Sequence, residues 1–592
     1  MKITLAIFLP LSILFLSQST AQQVTFIDVA ESMGINHPIA FIKNCVSFAD
    51  IDGDGRDDLS FGSIEGQPMY IYRNEGTSFT DVTTQLGLVD SALSRTLLWS
   101  DYDNDGDKDL FVGIDTHTEY SKLFRNDGGV LTDVTFSSGI GNVLSSCNAA
   151  CWGDFNNDGW IDLYVTHYSE FQANILYKNN QNGTFTDVTT IAGVQDTSNF
   201  TGYFKLPLAV AFFDYNNDGW QDIYIENDKF TWNTLYENQG DGTFENVSAQ
   251  SNSALAGFMM GVAIGDYDNN GYLDIYSSNA PWGNYLLKNN GDGTFTEVAE
   301  DLGLSVNKWC WGTNFFDYDN DSDLDLYVCA SVGPVNGVNA FFENNGNGTF
   351  TELQGIGLDN NHKSFGMGVG DFNNDGYYDI AVNNQVVLPN LFQSSSGSNN
   401  WVKLNLIGVQ SNRDGIGSWI EFFIDGNRMI RQTRCGISFG SQNSSSVILG
   451  AGNQTTIDSI RVTWAGSGTV DVLREVDVNQ LVTLHEGETI VSVKDDAITI
   501  YEYSLGQNYP NPFNPSTQID FSLAADSRVT LNVYSLLGEK VATLVNSDLT
   551  AGSHQVNFDA ASINSGVYFY RIEATGIDGT NFTNVNKMIL TK

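Results

Sequence analysis

Basic residues are scarce in this sequence. Lysine and arginine together number 27, against 71 aspartates and glutamates, and the 592 residues carry a formal net charge of −44. Such an excess of negative charge repels phosphate backbones and anionic lipid headgroups. We therefore expect neither nucleic acid nor a membrane surface among the partners of this chain.

Long hydrophobic runs are also few, and the most apolar one lies at the N-terminus. Lys2 precedes the mostly apolar stretch Ile3–Leu16, and the small residues Ser19-Thr20-Ala21 follow it. The run is shorter than the roughly 20 apolar residues that span a membrane, but it is typical of a secretory signal peptide. We expect residues 1–21 to be such a peptide and the protein to be exported without a membrane span.

Six cysteines are too few for a disulfide scaffold in a chain of this length. Cys310 and Cys329 stand on either side of one acidic loop, on strands that we expect to pair. The sequence leaves open whether they form a cross-strand disulfide or remain two buried thiols.

Recognisable catalytic motifs are missing as well. The sequence has no His-Glu-x-x-His, no Walker loop and no Cys-x-x-Cys. Residues 436–440 match the Gly-x-Ser-x-Gly pattern of a nucleophile elbow, with Ser438 at its centre. That motif requires a strand-to-helix turn, and no helix is predicted here. We expect a protein that is not an enzyme.

What the sequence does contain is a short acidic loop that recurs seven times. In residues 101–109, oxygen-bearing side chains stand at loop positions 1, 3, 5 and 9, and Gly106 stands at position 6. The glycine permits a sharp turn, so that the backbone carbonyl at position 7 can join the carboxylates. A hard cation such as Ca²⁺ takes about six to eight oxygen ligands, most of which one such loop can supply.

The pattern begins again every 51 to 60 residues, which indicates a propeller or a similar array. It is not an EF-hand, because Phe61 and Val112 occupy position 12 of the first two loops, where an EF-hand has glutamate. We expect about seven structural Ca²⁺ ions, with a weaker and more strained site in the sixth loop, where Ser322 replaces the glycine. The candidate metal ligands at positions 1, 3, 5, 7 and 9, position 7 acting through its carbonyl, are Asp50, Asp52, Asp54, Arg56, Asp58, Asp101, Asp103, Asp105, Asp107, Asp109, Asp154, Asn156, Asp158, Trp160, Asp162, Asp214, Asn216, Asp218, Trp220, Asp222, Asp266, Asp268, Asn270, Tyr272, Asp274, Asp317, Asp319, Asp321, Asp323, Asp325, Asp371, Asn373, Asp375, Tyr377 and Asp379.

Strand patterns surround each loop. β-branched and aromatic runs such as Leu110-Phe111-Val112 follow the loops, and phrases such as Phe79-Thr80-Asp81 end the repeats after Asn/Gly turns. Four strands per repeat is the number in a propeller blade, so the sequence predicts a seven-bladed β-propeller over residues 22–396. We expect residues 24–30, which precede the first loop, to close the ring as the outer strand of the blade that carries the Asp371 loop.

The seven loops resemble the FG-GAP/VCBS repeats of integrin α-subunit propellers and of many bacterial surface proteins, over about residues 24–396. A Ser-rich linker leads to a small β-rich segment, residues 399–487, which resembles the ASPIC/UnbV domain. The phrases that carry this likeness include Asn412-Arg413-Asp414-Gly415 and Ile460-Arg461-Val462-Thr463-Trp464, although Ala465 stands where that family usually has proline. The resemblance implies an architecture more than a mechanism.

A second linker, residues 488–504, precedes a last module over residues 505–592. Its Pro-rich opening, Asn508-Tyr509-Pro510-Asn511-Pro512, resembles the C-terminal sorting domain of the type IX secretion system. We expect a small β-sandwich of about seven strands here. The resemblance implies the type IX secretion machinery as a partner, and a secreted protein or one on the outer surface of a Gram-negative bacterium.

The sequence thus predicts an all-β, secreted or cell-surface calcium-binding propeller that serves as a non-catalytic adhesion module and binds a glycan or a protein. Two alternatives stay open: an enzyme acting on polysaccharide, with its catalytic residues in the central channel, and a purely structural matrix component. Loops and irregularly placed aromatic residues are the candidate contacts with a ligand. They are the insertion around residues 199–204 and Trp232, Trp282, Trp309 and Trp311.

Overall fold

Short antiparallel strands make up almost all the regular structure of the chain. The computed structural model describes residues 23–37, 44–63, 66–88, 93–197, 203–331, 339–359, 362–488, 504–508, 510–523, 527–549, 552–561, 563–576 and 581–592. The expected signal peptide, residues 489–503 of the second linker and residues 199–202 of the insertion lie outside the described residues.

Residues 26–394 fold into repeated four-stranded sheets, as the repeat pattern predicts. The strands are β1 Phe26–Asp28, β2 Val46–Ala49, β3 Asp58–Phe61, β4 Tyr70–Asn74, β5 Phe79–Asp81, β6 Ser94–Ser100, β7 Asp109–Tyr120, β8 Lys122–Asn126, β9 Leu131–Asp133, β10 Leu144–Gly153, β11 Asp162–His167, β12 Ile175–Asn179, β13 Phe185–Asp187, β14 Pro207–Phe213, β15 Asp222–Asn227, β16 Thr234–Asn238, β17 Phe244–Asn246, β18 Val262–Gly265, β19 Asp274–Ser277, β20 Tyr285–Asn289, β21 Phe295–Glu297, β22 Trp309–Phe316, β23 Asp325–Ser331, β24 Ala340–Asn344, β25 Phe350–Glu352, β26 Lys363–Gly370, β27 Asp379–Gln385 and β28 Asn390–Ser394. Two single-turn helices, α1 Thr135–Ser138 and α2 Thr189–Ala192, follow β9 and β13.

Consecutive groups of four strands, β2–β5 through β22–β25, each pair in chain order. The long strand β7 also pairs with β10, so the second and third groups share one extended sheet. The first strands of successive groups contact one another, and β26 contacts β2 in turn. The order of contacts therefore returns to the group from which it starts.

The N-terminal strand joins the last of these groups. β1 pairs antiparallel with β28, with Phe26 opposite Ser394 and Asp28 opposite Phe392. The expected pairing of residues 24–30 with the end of the Asp371 repeat is confirmed. The chain thus covers the edge that β28 would otherwise present.

Aromatic residues pack neighbouring sheets together at one repeated position. The ring at loop position 2 contacts the phenylalanine of an outer strand in the following group, as in Tyr102–Phe185 at 5.6 Å and Phe372–Phe79 at 5.7 Å between ring centroids. Tyr102 and Phe372 are 1% and 2% exposed. Regular spacing of these aromatics in the sequence therefore reflects packing between sheets.

The segment that follows forms two small sheets, ordered β32-β29-β35 and β31-β30-β33-β34. Its strands are β29 Asn400–Ile407, β30 Trp419–Ile424, β31 Asn427–Gln432, β32 Val447–Gly452, β33 Thr456–Thr463, β34 Val470–Asp477 and β35 Gln480–His485. We call this segment, residues 399–487, the second domain. The connection between β31 and β32, residues 433–446, is here named the central segment.

The central segment lies among the first strands of the four-stranded groups. Gln442 exchanges backbone hydrogen bonds with Val46 and Phe48 on β2, and Ser438 does the same with Val262 on β18. Single hydrogen bonds join the segment to β6, β10, β22 and β26. The Gly440 carbonyl accepts from the Thr96 hydroxyl, the Cys435 carbonyl from the Trp152 N–H, the Ser438 hydroxyl from the Thr313 N–H, and the Asn443 amide oxygen from the Val369 N–H. The residues matching a nucleophile elbow lie in this segment, with Ser438 buried and no helix after it.

The C-terminal residues form a separate compact unit, Glu488–Lys592 with Val472–Arg474, whereas the remainder up to Gly487 forms the other unit. Its described residues form the strands β36 Ser504–Leu505, β37 Ser516–Leu523, β38 Ser527–Ser535, β39 Lys540–Leu549, β40 Gly552–Asp559, β41 Gly566–Gly576 and β42 Asn581–Leu590. They pair as β36-β37-β40 and β39-β38-β41-β42 around a shared apolar core that includes Ile519, Leu531 and Tyr570.

Cys310 and Cys329 are two buried thiols. Cys310 lies opposite Ala330 rather than Cys329, and because neighbouring residues of a strand face opposite sides, the two sulfurs enter different core clusters. Of the two alternatives that the sequence leaves open, the structure has the thiols. Among the described residues, no helix combines the length and apolar character that crossing a membrane requires.

Candidate metal centres

Each acidic loop joins the first strand of a four-stranded group to the second. In the second loop, Asp101 follows β6 directly and Asp109 is the first residue of β7. Because β6 and β7 pair, with Ser100 opposite Asp109, the two ends of the loop are held side by side. The sheet itself therefore brings positions 1 and 9 together.

The position-1 carboxylate shapes the turn. Oδ1 of Asp101 accepts the N–H of Asp105 at 3.0 Å, and Oδ2 accepts the N–H of Gly106 at 2.8 Å. The same pair of hydrogen bonds occurs in all seven loops. Each loop is thus held in its turn by its own first candidate ligand.

The position-9 carboxylate is buried in every loop. Asp109 is 1% exposed, and its two oxygens accept the N–H groups of Tyr102 at 3.1 Å and Asn126 at 2.8 Å. Equivalent pairs of hydrogen bonds occur in the other six loops, with Ser394 as the second donor in the seventh. Position 9 therefore ties the loop to the end of the third strand as well.

Positions 5 and 7 are joined by a hydrogen bond. The position-5 side chain accepts the N–H of position 7 in every loop, for example Asp105 from Asp107 at 2.9 Å. Side chains at position 7 turn to the neighbouring Asn-Gly turn instead, where Trp220 lies against Gly240 and Tyr272 against Gly291. In the fourth and fifth loops, position 7 is thus left with its backbone carbonyl as the group it can offer an ion.

Carboxylates at positions 1, 3 and 9 converge in four loops, where one oxygen of each residue lies within 4.8 Å of the others. These groups are Asp50, Asp52, Asp58; Asp101, Asp103, Asp109; Asp266, Asp268, Asp274; and Asp317, Asp319, Asp325. Position 3 of the third, fourth and seventh loops holds asparagine, whose amide oxygen is also a ligand for hard cations. In three of these groups every aspartate is buried or half-buried, whereas Asp52 of the first group is exposed, and each group can hold a metal ion.

Two observations show that the donor set suits a cation. Oδ1 of Asp103 and Oδ1 of Asp268 are buried and have no hydrogen-bond partner among the described residues. An orphaned carboxylate oxygen is costly unless a positive charge meets it. Since every side-chain donor here is an oxygen, a hard ion such as Ca²⁺ or Mg²⁺ fits better than a softer metal that prefers sulfur or imidazole.

Burial also disfavours the ionised form of these carboxylates. It raises the pKa of Asp109 to about 9 and that of Asp58 to about 8, and the pKa values of Asp162, Asp222 and Asp325 lie well above the ordinary value. Neighbouring carboxylates add to the shift in each case. Bound cations reverse this effect, because they favour the ionised form of their ligands.

Asparagines at loop position 4 form a link that sequence reasoning missed. Asn104 adopts a left-handed backbone (φ 58°), and its amide donates to the carbonyl of Gly159 in the next loop at 3.1 Å. Four of the other five position-4 asparagines make the same bond to a glycine carbonyl of another loop. One of these four is Asn374 of the last loop, which reaches Gly55 of the first at 3.0 Å. Asn269 instead reaches the Asp323 carboxylate at 2.7 Å. The signal was visible, because asparagine occupies position 4 in six of the seven loops.

The second domain contacts these loops. Nζ of Lys403 lies 3.1 Å from Oδ2 of Asp371 in a buried ion pair and donates to the Asn374 amide oxygen at 2.6 Å. Trp419 donates its indole N–H to Asp214 at 3.3 Å, and the Asp101 N–H donates to Asp414 at 2.9 Å. Position-1 residues of at least three loops thus contact the second domain directly.

Ser322, the one non-glycine at position 6, has a φ of 85°, which confirms the expected left-handed strain. Its hydroxyl donates to the carbonyl of Gly450 in the second domain at 2.9 Å. This contact gives the serine a partner that glycine could not have. Whether the sixth site binds its ion more weakly stays a prediction.

The irregular tryptophans separate into two groups. Trp232 and Trp282 are 53% and 61% exposed, and Trp309 is half-buried. Trp311 is 4% exposed and packs on Phe365 and Phe439, so its assignment as a contact residue is wrong. Trp309 and Trp311 pack in the same apolar cluster, but Trp309 is the first residue of β22.

Comparison with known families matches all three regions of the chain. FG-GAP-like repeats match residues 50–112, 101–165, 154–225, 214–277, 266–328 and 329–382, which together span more than half of the chain. The ASPIC and UnbV family matches residues 408–491, and the secretion system C-terminal sorting domain matches residues 507–589. The sorting domain indicates secretion to the cell surface or beyond it.

Among curated proteins, the chain is similar to cartilage acidic protein 1 of Homo sapiens and of Xenopus tropicalis, with 24% identity to each over 345 and 343 residues. These alignments cover 51% of this chain, and 50% and 51% of the two relatives. The chain therefore spans about half the length of the curated relatives it matches. Solved structures with some similarity include the Vibrio cholerae biofilm matrix protein Bap1 (11% identity, 95% of this chain, 76% of that chain, TM-score 0.31) and the Photorhabdus luminescens Tc holotoxin pore (13% identity, 96% and 30%, TM-score 0.32).

Proposed function

Because the chain belongs to the family of proteins with FG-GAP-like repeats, we propose that it is an exported, calcium-binding β-propeller that binds a macromolecule and does not catalyse a reaction. The observation that carries this proposal is the set of seven loops, alike in hydrogen bonding and each rich in carboxylate oxygens.

A seven-bladed ring is the arrangement that these contacts support. The first strands of the groups contact one another in sequence, and the Asn374–Gly55 hydrogen bond links the last loop to the first. Pairing of β1 with β28 leaves the final blade with four strands like the others. In the same way, two small sheets around one core support a β-sandwich for the C-terminal module.

Calcium in this proposal is structural. Each ion would be held by positions 1, 3, 5 and 9 and by the carbonyl of position 7, and it would neutralise carboxylates that the fold forces together. Extracellular calcium at millimolar concentration would keep even weak sites filled, in agreement with an exported protein. The N-terminal signal peptide and a location on a Gram-negative surface belong to the same proposal.

Binding rather than catalysis is favoured by what fills the middle of the repeats. A channel enzyme would need reactive side chains around an open centre. Instead, the central segment of the second domain bonds to the first strands there, and its residues Ser438, Phe439 and Gln442 are buried. A rigid disc with exposed loops at its rim remains, which is a common platform for recognition.

Calcium removal tests the metal part of the proposal. We expect excess Ca²⁺ to raise the melting temperature of the full chain over that in EGTA, because each site filled at 100 times its Kd contributes about 2.7 kcal/mol. Asp103→Ala should lower the calcium stoichiometry in calorimetric titration by one. Asp127→Ala removes the same charge from an exposed turn and should leave the stoichiometry unchanged. An identical melting curve in EGTA and in calcium would sink the proposal.

A binding screen tests the recognition part. The full chain in calcium is screened against immobilised polysaccharides and extracellular matrix proteins, and against the same panel in EGTA. Saturable, calcium-dependent binding to a member of either class is the expected result. Calcium-dependent stability without any saturable ligand would contradict the binding role and favour an architectural one.

A further inference from the structure

Four aromatic rings, three from loops and one from the first residue of β22, meet beside β14, β18 and β22. Ring centroids of Phe258 lie 4.9 Å from Phe230, 5.4 Å from Trp282 and 5.9 Å from Trp309. Phe230 and Trp282 are 56% and 61% exposed. We call these four residues the aromatic platform. Phe230 and Trp282 follow second strands, Phe258 precedes a first strand, and Trp309 begins one. The platform therefore lies at the strand ends opposite those that carry the acidic loops.

The platform rests on a buried floor to which the second domain contributes. Phe258 and Trp309 pack against a core of Leu208, Met260, Trp311, Phe365 and Phe439. Phe439 belongs to the central segment and lies 5.3 Å from Trp311 between ring centroids. The second domain therefore reaches through the repeats to support the platform from beneath. This continuity with an established interface makes the surface rigid.

Hydrogen bonds hold together the loops that carry these rings. The side-chain oxygen of Asn279 accepts the Phe258 N–H at 2.9 Å, and its amide donates to Gly283 at 2.8 Å, beside Trp282. Phe230 donates its N–H to Gly257 at 2.6 Å from a left-handed backbone (φ 58°), as Lys229 before it is also left-handed (φ 54°). Two successive bulky residues with positive φ are strained, and such strain persists where a function needs the geometry.

The size of the exposed surface favours a sugar over a protein. Phe230 and Trp282, each a little more than half exposed, offer roughly 200 Å² of ring surface. A stable protein partner buries about 800 Å² on each side. Two or three rings in a shallow arrangement match the faces of single sugar units instead, whose C–H bonds pack on aromatic rings while their hydroxyls stay in water.

Charge around the platform favours an uncharged ligand. The segments that present the rings, residues 228–232, 256–260, 279–284 and 305–309, contain one acidic residue, Asp228, and two lysines, Lys229 and Lys308. Nζ of Lys229 lies over the Tyr168 ring, 5.1 Å from its centroid. The Asp228 carboxylate is buried and accepts from the Tyr168 hydroxyl at 2.6 Å and the Lys229 N–H at 2.7 Å. The platform is thus nearly free of exposed negative charge, whereas the whole chain at −44 repels polyanions at long range.

We infer that the aromatic platform is a binding site for the sugar rings of an uncharged polysaccharide. This inference rests on the proposed function, since it names the ligand class of the binding module. It also gives the second domain a part in recognition, because Phe439 forms part of the floor.

The test uses the full chain in calcium with laminarin, xyloglucan and galactomannan as uncharged probes, and alginate as the acidic one. At least one uncharged probe should bind saturably, and Trp282→Ala and Phe230→Ala should each weaken it by about tenfold or more. Phe136→Ala is the matched control, because Phe136 is 69% exposed and meets one ring, Tyr120, edge-on. It should bind as the unchanged protein does. Melting temperatures establish that all three variants are folded.

Several results would overturn the inference. They are binding of alginate alone, binding that Trp282→Ala leaves intact, equal losses in Phe136→Ala, and no binding of any polysaccharide. If a matrix protein binds in the calcium-dependent screen while no polysaccharide does, the platform inference fails and the proposed function stands. If calcium has no effect on stability, the proposed function itself fails.

Discussion

At loop position 6 the backbone is left-handed, and the space beside it differs from one loop to another. In the seventh loop that neighbour is Trp401 of the second domain: a Cβ added to Gly376 (φ 82°) would lie 1.8 Å from a carbon of its indole. The fourth loop offers the matched case, since Gly219 (φ 85°) has open space within 4 Å of the same position. Two glycines with one conformation thus face different surroundings.

Alanine at these two positions should therefore have unequal effects. Gly219→Ala costs the left-handed strain, about 1–2 kcal/mol. Gly376→Ala adds overpacking against Trp401, about 1–3 kcal/mol more. The free energies of unfolding from urea titrations in excess calcium measure both. Equal costs in the two variants would show that Trp401 does not press on the seventh loop.

The ligands of the acidic loops could be predicted from spacing because their geometry is local. Nine residues contain the whole turn, so oxygen-bearing side chains at positions 1, 3, 5 and 9 reveal it without knowledge of the fold. The ion pair between Lys403 and Asp371 could not be predicted in that way. It depends on how the second domain packs, and no local pattern around either residue encodes that contact.

At the scale of elements, the outer strands show how the N-terminal segment joins the last group of strands. β1 and β5 have the same length and the same pattern, a buried phenylalanine followed by two exposed residues. Phe26 and Phe79 are each 4% exposed. They differ in connection. A short turn joins β5 to its partner β4, whereas β1 pairs with β28, a strand more than 360 residues away.

Phe26→Ala and Phe79→Ala should therefore cost similar stability but differ in proteolysis. Each loses a buried ring, worth about 3–5 kcal/mol. Only Phe26→Ala should release an N-terminal fragment in brief digestion of the otherwise folded protein, because no short turn joins β1 to its partner β28, whereas a short turn joins β5 to its partner β4. Mass spectrometry of the products gives the readout. If both variants are cut at the same rate near residue 30, β1 does not close the sheet in solution.

The four-strand repeat could be predicted because alternating strands and Asn-Gly turns recur with each loop. The pairing of β7 with β10 could not, since β7 runs 12 residues while its counterparts run 4 to 7. Its extension, residues 115–120, carries mostly polar side chains that give no sign of a partner. Polar strands specify their neighbours weakly, since no buried face fixes their register.

For the whole molecule, the least predictable feature is the central segment. Its residues bond to strands that precede it by roughly 70 to 400 positions, and its sequence reads as an ordinary polar loop with a misleading Gly-x-Ser-x-Gly match. The side chain of Gln442 both accepts from the Trp99 N–H at 2.7 Å and donates to the Trp99 carbonyl at 2.8 Å. The repeats and the second domain therefore share buried hydrogen bonds, which is why they form one compact unit.

This sharing predicts how the full chain melts. The repeats and the second domain should unfold together, because loss of either would leave buried polar groups of the other without hydrogen-bond partners. The C-terminal module has its own core and should unfold separately. In scanning calorimetry we expect two transitions, of which calcium raises only one, since the aspartate clusters found among the described residues all lie in the first unit. Leu531→Ala, in the C-terminal core, should lower only the calcium-independent transition, by roughly 10 °C or more, because a buried leucine is worth about 2–5 kcal/mol in a domain of this size. Two calcium-sensitive transitions would mean that the repeats and the second domain unfold separately. A single transition that Leu531→Ala shifts as a whole would mean that the C-terminal module unfolds with the rest.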